Sequence, residues 1–134
     1  MSDLTIFETD NFLVEAHAQP HHSRENGGHV VIRVKSGVEH RYEQSIEAAK
    51  ELMVLSMIVG EAATNILKRN GFKIARINYQ DNGNWAYKSG MKGKEHLHLY
   101  FRTWDEKHPD GHKLFLVFFG GFVYIEKPDI FFIL

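Results

Sequence analysis

The fold of this chain is decided by one alternating stretch, His96-Leu97-His98-Leu99-Tyr100. Alternate side chains of a β-strand face the same side, so this pattern predicts a strand with one polar and one apolar face. Leu97 and Leu99 would pack into the core, while His96 and His98, roughly 6.6 Å apart at their Cα atoms, would face a cleft. A strand holds side chains more rigidly than a loop does, which suits a catalytic or binding site.

The longest element is a predicted helix that precedes this strand. Its apolar residues recur at steps of three and four, which marks one face of a helix. They are Leu52, Leu55, Val59, Ala62 and Ile66. Ser45 is the expected N-cap and Asn70-Gly71 the stop signal, so the helix would be roughly 37 Å long and could lie across a whole sheet. We expect its apolar stripe, including Met53 and Met57, to pack in the core.

Further strands are predicted on both sides of the helix. They are about 4–8, 11–17 and 29–35 before it, and 72–79 and 95–102 after it. Residues 80–93 are predicted to form a loop, and 113–125 a hairpin around Gly120-Gly121. Because the strands mostly do not alternate with helices, the pattern predicts an α+β fold, an antiparallel β-sheet packed with one long α-helix.

The composition limits the function classes that remain open. A length of 134 residues predicts one domain. The chain has no cysteine, which excludes disulfides, thiolate metal sites and cysteine nucleophiles. We see no signal-peptide pattern and no apolar run long enough to cross a bilayer, and we expect a cytoplasmic protein without a membrane partner. The formal net charge of −1 argues against a nucleic-acid partner.

The nine histidines are many for this length, and an imidazole can act as nucleophile, acid–base group or metal ligand. On the residues alone, His96 and His98 have three interpretations. They are solvent-facing residues of a strand, or zinc ligands completed by His29 or Glu95, or a nucleophile beside a phosphate-binding histidine. The other histidines in polar segments are expected to be exposed: His21, His22, His40, His108 and His112.

Four segments, taken in their order along the chain, resemble the histidine-triad (HIT) superfamily. They are 6–14, the Gly-His-apolar-Lys pattern of 28–35, the Asn-containing 76–85, and 96–102. The resemblance covers about 5–103 and leaves 104–134 unassigned within a single HIT-like domain, 1–134. It implies a homodimer, a purine mononucleotide or dinucleotide substrate, no cofactor, and no metal in the chemical step.

The resemblance also assigns roles along the active-site strand. The family carries three histidines at alternate positions, with the middle one as nucleophile. Spacing to Arg102 aligns His96 with the middle position, His98 with the third, and Lys94 with the first. The Lys94 carbonyl would then hold the other nitrogen of His96. The alternative register makes His98 the nucleophile and Tyr100 the third member, and we favour the first because it fits without a gap.

In the implied reaction, neutral His96 attacks the α-phosphorus of a nucleotide ester, anhydride or phosphoramidate and forms a nucleotidyl-histidine, which water then cleaves. His98 and His29 would donate hydrogen bonds to the phosphate oxygens. Activity should fall below about pH 6.5, where a free imidazole protonates. Two alternatives stay open: a non-catalytic nucleotide-binding protein, because the first triad histidine is missing, and a histidine-based metal-binding protein.

The remaining candidate site residues would contact the nucleotide. The expected phosphate and leaving-group contacts are Asn78, Asn84, Lys88, Lys92 and Lys94. By resemblance, the base pocket would be built from Ile6, Phe7 and Leu13. His17 falls near the position of the family's acidic ribose-binding residue, so the nucleoside preference is open.

Overall fold

The computed structural model describes residues 4–22 and 26–105, which form a five-stranded antiparallel sheet and one long helix. Three strands precede the helix: β1 (Leu4–Glu8), β2 (Phe12–Ala16) and β3 (Gly28–Val34). Helix α1 (Ile46–Arg69) is followed by β4 (Ile74–Gln80) and β5 (His96–Thr103). The strand order is β1-β2-β3-β5-β4, and every neighbouring pair is antiparallel. The predicted α+β fold class is confirmed.

Helix α1 begins and ends at the signals that its sequence carries. The Ser45 side chain accepts a hydrogen bond from the Ala48 backbone N–H at 3.1 Å, which satisfies one of the unpaired donors of the first turn. At the other end, the Asn70 backbone N–H donates to the Ile66 and Leu67 carbonyls. These caps therefore set the two ends of the helix at Ile46 and Arg69.

The core lies between α1 and one face of the sheet. Its helical members are Leu52, Leu55, Val59, Ala63, Ile66 and Leu67, and its sheet members include Val30, Ile32, Leu97, Leu99 and Phe101. The expectation that Met53 and Met57 pack in the core is wrong, since they are 63% and 62% exposed. Each residue turns a helix by about 100°, which carries both methionines off the stripe that faces the sheet.

The predicted loop at 80–93 is wrong over Gly83–Ser89, which is a 3₁₀ helix followed by Gly90 in the left-handed conformation (φ 69°). Such short turns carry little hydrophobic periodicity, so the sequence pattern does not show them. A second 3₁₀ helix, Arg41–Glu43, precedes α1. The hairpin predicted at 113–125, together with His108 and His112, lies outside the described residues.

The sheet face opposite α1 carries polar side chains in rows across the strands. The pairing aligns Leu13, Arg33 and His96 in one row; Glu15, Val31, His98 and Gln80 in the next; and His29, Tyr100 and Asn78 in the third. This face positions the candidate site. Within 4–22 and 26–105, no helix combines the length and apolarity that crossing a membrane requires.

Candidate functional site

Five histidines and one tyrosine lie together on the polar face of the sheet, and we call them the histidine cluster. Its members are His17, His21, His29, His96, His98 and Tyr100. The ring centres of His96 and His98 are 4.6 Å apart, and those of His29 and His98 are 4.9 Å apart. Alternation along β3 and β5 supplies four members, while the segment after β2 supplies the other two.

A chain of hydrogen bonds assigns the tautomers of two buried histidines. The His21 backbone N–H donates to His29 Nδ1 at 3.2 Å, so the proton of a neutral His29 is on Nε2. That Nε2–H donates to His98 Nδ1 at 2.7 Å. The proton of a neutral His98 is therefore on its Nε2, which makes this atom a hydrogen-bond donor.

Burial keeps these rings uncharged. The exposed fractions of His29 and His98 are 0% and 3%. Burial, followed by repulsion from His96 and other nearby rings, lowers the pKa of His98 to about 2. Burial and then His98 lower the pKa of His29 far below its ordinary value. The pKa of His21 is lowered to about 3, by burial first and then by His17 and His96.

His96 has a different environment from its buried neighbours. It is half-buried, and its Nδ1 lies 2.6 Å from the Lys94 carbonyl oxygen, to which an Nδ1–H donates. This hydrogen bond leaves a lone pair on Nε2 in the neutral ring. The contact with the Lys94 carbonyl that the family resemblance implies is present. An imidazole held at one nitrogen and nucleophilic at the other is suited to attack an electrophile.

The expectation that His21 and His22 are exposed is wrong. His21 is half-buried in the cluster, and His22 is buried with Nε2 within 3.1 and 3.2 Å of the Asn26 and Phe101 carbonyls. The close approach of this segment to the Phe101 backbone requires a glycine at position 27. The φ of Gly27 is 136°, and an added Cβ would lie 1.8 Å from the Phe101 oxygen. The segment that holds His21 and His22 has no strand periodicity. Only the number of histidines in it indicated that it contributes to a site.

The two loop lysines expected to bind phosphate contact other groups. Lys92 Nζ lies 3.4 Å from Glu39 Oε2, and Lys88 Nζ lies 4.5 Å from the centre of the Trp85 ring. Asn84 is exposed in the 3₁₀ helix. None of these contacts brings the three loop residues to the histidine cluster, and their phosphate-binding role stays a prediction.

Asn78 and Lys94 lie closer to the cluster than the loop residues do. Asn78 pairs with Tyr100 across β4 and β5, so both side chains are on the polar face. Lys94 has an exposed side chain and contributes its carbonyl to His96. Burial raises the pKa of Tyr100 to about 12, so its hydroxyl keeps its proton near neutral pH.

The residues expected to bind the base are dispersed. Ile6 packs against the hydrophobic core, whereas Phe7 is 39% exposed and Leu13 is half-buried. The His17 ring stacks on His29, with ring centres 4.9 Å apart and planes at 13°. His17 Nδ1 also accepts a hydrogen bond from the Gln19 backbone N–H at 3.2 Å. These positions put His17 in the cluster, and base binding stays a prediction.

Arg33 is a site residue that the sequence analysis missed. It pairs with His96 across β3 and β5, and its Nε donates to Glu15 Oε2 at 2.5 Å. The sequence does mark this residue, because Arg33 is a charged residue within a β-branched strand. It is four positions from His29, so both side chains lie on the same face of that strand. The cluster therefore has an ion pair at its border.

Among the described residues, no group of three or more His, Cys, Asp or Glu side chains could hold a metal ion. Glu95, the acidic candidate, precedes β5 and is 2% exposed, and its Oε1 accepts a hydrogen bond from Arg41 at 3.3 Å. Burial and then Asp81 raise the pKa of Glu95 to about 7.

No protein-family model and no curated protein matches the chain. Two solved structures have similar folds. A zinc-bound histidine triad family protein from Mycobacterium smegmatis is 20% identical with a TM-score of 0.58, over 80% of this chain and 70% of that one. A hypothetical histidine triad nucleotide-binding protein from Sulfolobus tokodaii is 16% identical with a TM-score of 0.57, over 98% and 77%. The chain therefore has the histidine-triad fold that its sequence predicts.

Proposed function

We propose that this chain with the histidine-triad fold hydrolyses nucleotides at the α-phosphorus through a covalent nucleotidyl-His96 intermediate. One observation carries the proposal: the Nδ1 hydrogen bond of His96 to the Lys94 carbonyl, at 2.6 Å, leaves Nε2 as a nucleophile on a rigid strand. The nucleotide ligand is supported by the Sulfolobus structure, which is named as a nucleotide-binding protein.

In the first step, His96 Nε2 attacks the α-phosphorus. A P–N bond forms as the bond from phosphorus to the leaving group breaks. The positive charge that develops on the ring is stabilised through Nδ1–H by the Lys94 carbonyl. Water then attacks the phosphorus, the P–N bond breaks, and the nucleoside monophosphate leaves with neutral His96 restored and a proton released to solvent.

The buried histidines would stabilise charge on the non-bridging oxygens. His98 Nε2 carries a proton because His29 donates to its Nδ1 at 2.7 Å, and His29 is in turn oriented by the His21 backbone N–H. Donors that are oriented before the reaction stabilise the transition state without reorganisation. His98 is therefore proposed as the phosphate-binding catalytic residue, with His29 as a positioning residue.

The same pKa values favour one class of leaving group. The pKa of His98 is lowered to about 2, so this ring supplies no proton to a leaving group near neutral pH. A phosphate released from an anhydride departs as a stable anion, whereas an amine released from a phosphoramidate needs a proton. We infer that purine dinucleoside polyphosphates and related anhydrides are better substrates than phosphoramidates.

The test is turnover of diadenosine polyphosphate and of adenosine phosphoramidate, with and without a chelator. Hydrolysis that survives chelation, is lost in His96→Ala and is faster with the anhydride supports the proposal. Binding without hydrolysis by the wild type would instead support a non-catalytic nucleotide-binding protein, which Lys94 at the first triad position favours. Activity that requires zinc would support the metal-binding alternative.

We further propose that the chain forms a homodimer through α1. The helix exposes a contiguous apolar stripe consisting of Met53, Val54, Met57 and Ile58. Beside it is a cavity of about 410 Å³ whose lining includes Met53, Met57 and Tyr79. Apolar stripes of this kind commonly mark interfaces between proteins, and a second copy would bury this one.

A further inference from the structure

One charged residue lies among the apolar side chains at the start of β5. Glu95 immediately precedes this strand and alternates with Leu97 and Leu99, so it belongs to the apolar face, and its side chain is only 1% exposed. A buried carboxyl group costs free energy unless a partner satisfies it, whereas an apolar residue would pack there without that cost. Packing alone therefore does not account for a glutamate directly before His96.

A single peptide unit links Glu95 to the hydrogen bond that holds His96. The Lys94 carbonyl accepts from His96 Nδ1 at 2.6 Å, and the Glu95 N–H of the same peptide unit donates to the Val38 carbonyl at 2.8 Å. Because a trans peptide unit is planar, its C=O and N–H point in opposite directions and turn together. The direction of the Lys94 carbonyl therefore depends on the contacts that hold Glu95.

Arg41 holds the Glu95 side chain. From the 3₁₀ helix before α1, Arg41 Nε donates to Glu95 Oε1 at 3.3 Å, and Arg41 Nη2 lies 3.9 Å from Asp81 Oδ2. Asp81 follows β4, and two residues later Gly83 lies beside the Lys94 carbonyl, where an added Cβ would be 3.8 Å from the oxygen. Arg41 therefore connects the Glu95 side chain to the segment that borders the Lys94 carbonyl.

We propose that Glu95, held by Arg41, is the positioning residue that keeps the Lys94 carbonyl directed at His96 Nδ1. The carbonyl then keeps the proton of the neutral His96 ring on Nδ1 and the lone pair on Nε2, the nucleophile of the proposed reaction. This inference rests on the proposed function and adds a positioning residue to it. The tautomer of His96 is nevertheless a property of the protein without substrate, so it can be measured separately from catalysis.

The first measurement is the tautomer of His96, by NMR on protein with ¹⁵N-labelled histidine at about pH 8, where a free imidazole is neutral. Comparison with His96→Asn assigns the signals. We expect the wild-type ring to carry its proton on Nδ1. In Glu95→Leu the ring should exchange between both tautomers, because the carbonyl is no longer held in place. Glu95→Gln keeps an oxygen that accepts from Arg41 Nε and should keep the wild-type tautomer.

The second measurement is steady-state hydrolysis of diadenosine polyphosphate. Glu95→Leu should lower kcat about 10- to 100-fold, the usual cost of misplacing a reacting group by about 1 Å. KM should stay nearly unchanged, because the hydrogen bond between His29 and His98 does not involve Glu95. Glu95→Gln should recover most of the lost kcat. The matched control is Glu51→Leu in α1, which removes a carboxylate that accepts from Asn11 at 2.6 Å and should change neither kcat nor the tautomer.

Thermal unfolding separates positioning from a general loss of structure. Leucine at position 95 continues the apolar alternation of Leu97 and Leu99, and Arg41 stays hydrated because its side chain is 61% exposed. The Tm of Glu95→Leu should therefore be close to that of the wild type. If Glu95→Leu does not fold, Arg41→Met decides, and the same mixture of His96 tautomers is expected.

The inference is overturned if His96 keeps its proton on Nδ1 in folded Glu95→Leu, or if Glu95→Gln or Glu51→Leu changes the tautomer as much as Glu95→Leu does. A wild-type His96 with its proton on Nε2 would overturn it as well. The proposed hydrolysis can fail on its own: a wild type that shows the expected tautomers but no turnover would refute hydrolysis and leave the positioning role of Glu95 standing.

Discussion

His96 and His98 are separated by one residue, yet their hydrogen bonds give them opposite chemistry. Nδ1 of His96 donates to a backbone carbonyl, which leaves a lone pair on Nε2. Nδ1 of His98 accepts from His29, which leaves a proton on Nε2. This difference supports the register in which His96 is the nucleophile and His98 binds the phosphate oxygens.

We predict that His98→Asn lowers kcat for diadenosine polyphosphate by about 10²- to 10³-fold, the usual cost of removing one oriented donor at a developing oxyanion. His40→Asn, at an exposed histidine outside the cluster, should leave kcat unchanged. Steady-state hydrolysis assays measure both. A His98→Asn variant with wild-type kcat would exclude His98 from the proposed transition state.

The buried ionisable residues predict how stability varies with pH. The pKa values of His29 and His98 are lower in the folded state than the ordinary 6.5, so below that pH the unfolded chain binds protons that the folded chain does not. Each such histidine costs about 1.4 kcal/mol of stability per pH unit as the pH falls. The pKa of Glu95 is raised to about 7, so between that value and 4.5 the folded state gains about 1.4 kcal/mol per unit. The pKa of His21 is also lowered, to about 3, so three histidines oppose one carboxyl group and the free energy of unfolding should fall from pH 6 to pH 5.

Urea unfolding at pH 7, 6 and 5 measures this dependence. His98→Asn should flatten the loss of unfolding free energy and Glu95→Gln should steepen it, because each variant removes one of the opposing contributions. Stability at pH 5 that equals or exceeds stability at pH 7 would contradict the neutral state of the buried histidines.

At the scale of secondary-structure elements, the sequence predicts those strands and helices that carry a local pattern. The alternation in β5, the cap at Ser45 and the apolar steps of α1 are local signals, and each element lies within a few residues of its expected bounds. The failures depend on tertiary structure. Met53 and Met57 are apolar, but one sheet covers only one stripe of a helix, and no local pattern shows that His21 and His22 turn inward.

The segment before β3 illustrates a contact that the sequence pattern cannot show. Gly27→Ala should destabilise the protein by about 3 kcal/mol or more, because the new Cβ would meet the Phe101 backbone oxygen and φ is positive. Gly37→Ala is the matched control, since φ is 73° there and no atom lies within 4 Å of the added Cβ, so it should cost only about 1–2 kcal/mol. Equal unfolding free energies for the two variants would contradict the close packing at Gly27.

At the scale of the whole molecule, the histidine cluster and the exposed apolar stripe of α1 lie on opposite sides of the sheet. The histidine cluster occupies the face away from α1, and the exposed stripe of α1 includes Met53, Val54, Met57 and Ile58. A homodimer formed through α1 would therefore leave the polar face accessible to nucleotides. The proposed dimer interface and the proposed nucleotide site would then be separate surfaces.

We predict that the 15.5 kDa chain elutes as a dimer and that the double variant Met53→Glu/Met57→Glu is a monomer, because charges on the stripe cannot be buried without partners. Trp104→Glu, which also introduces a charge at an exposed aromatic site, should stay dimeric. Light scattering after size-exclusion chromatography gives the masses. A monomeric wild type would contradict the proposed interface.

The most direct measurement is a search for a nucleotide bound covalently to the protein. Wild-type protein is mixed with excess diadenosine polyphosphate, quenched in alkali to preserve P–N bonds, and digested. Mass spectrometry should then find one peptide that carries an added adenylyl group at His96. His96→Ala should carry none. An adduct at His98, or rapid hydrolysis by the wild type without any adduct, would contradict nucleophilic attack by His96.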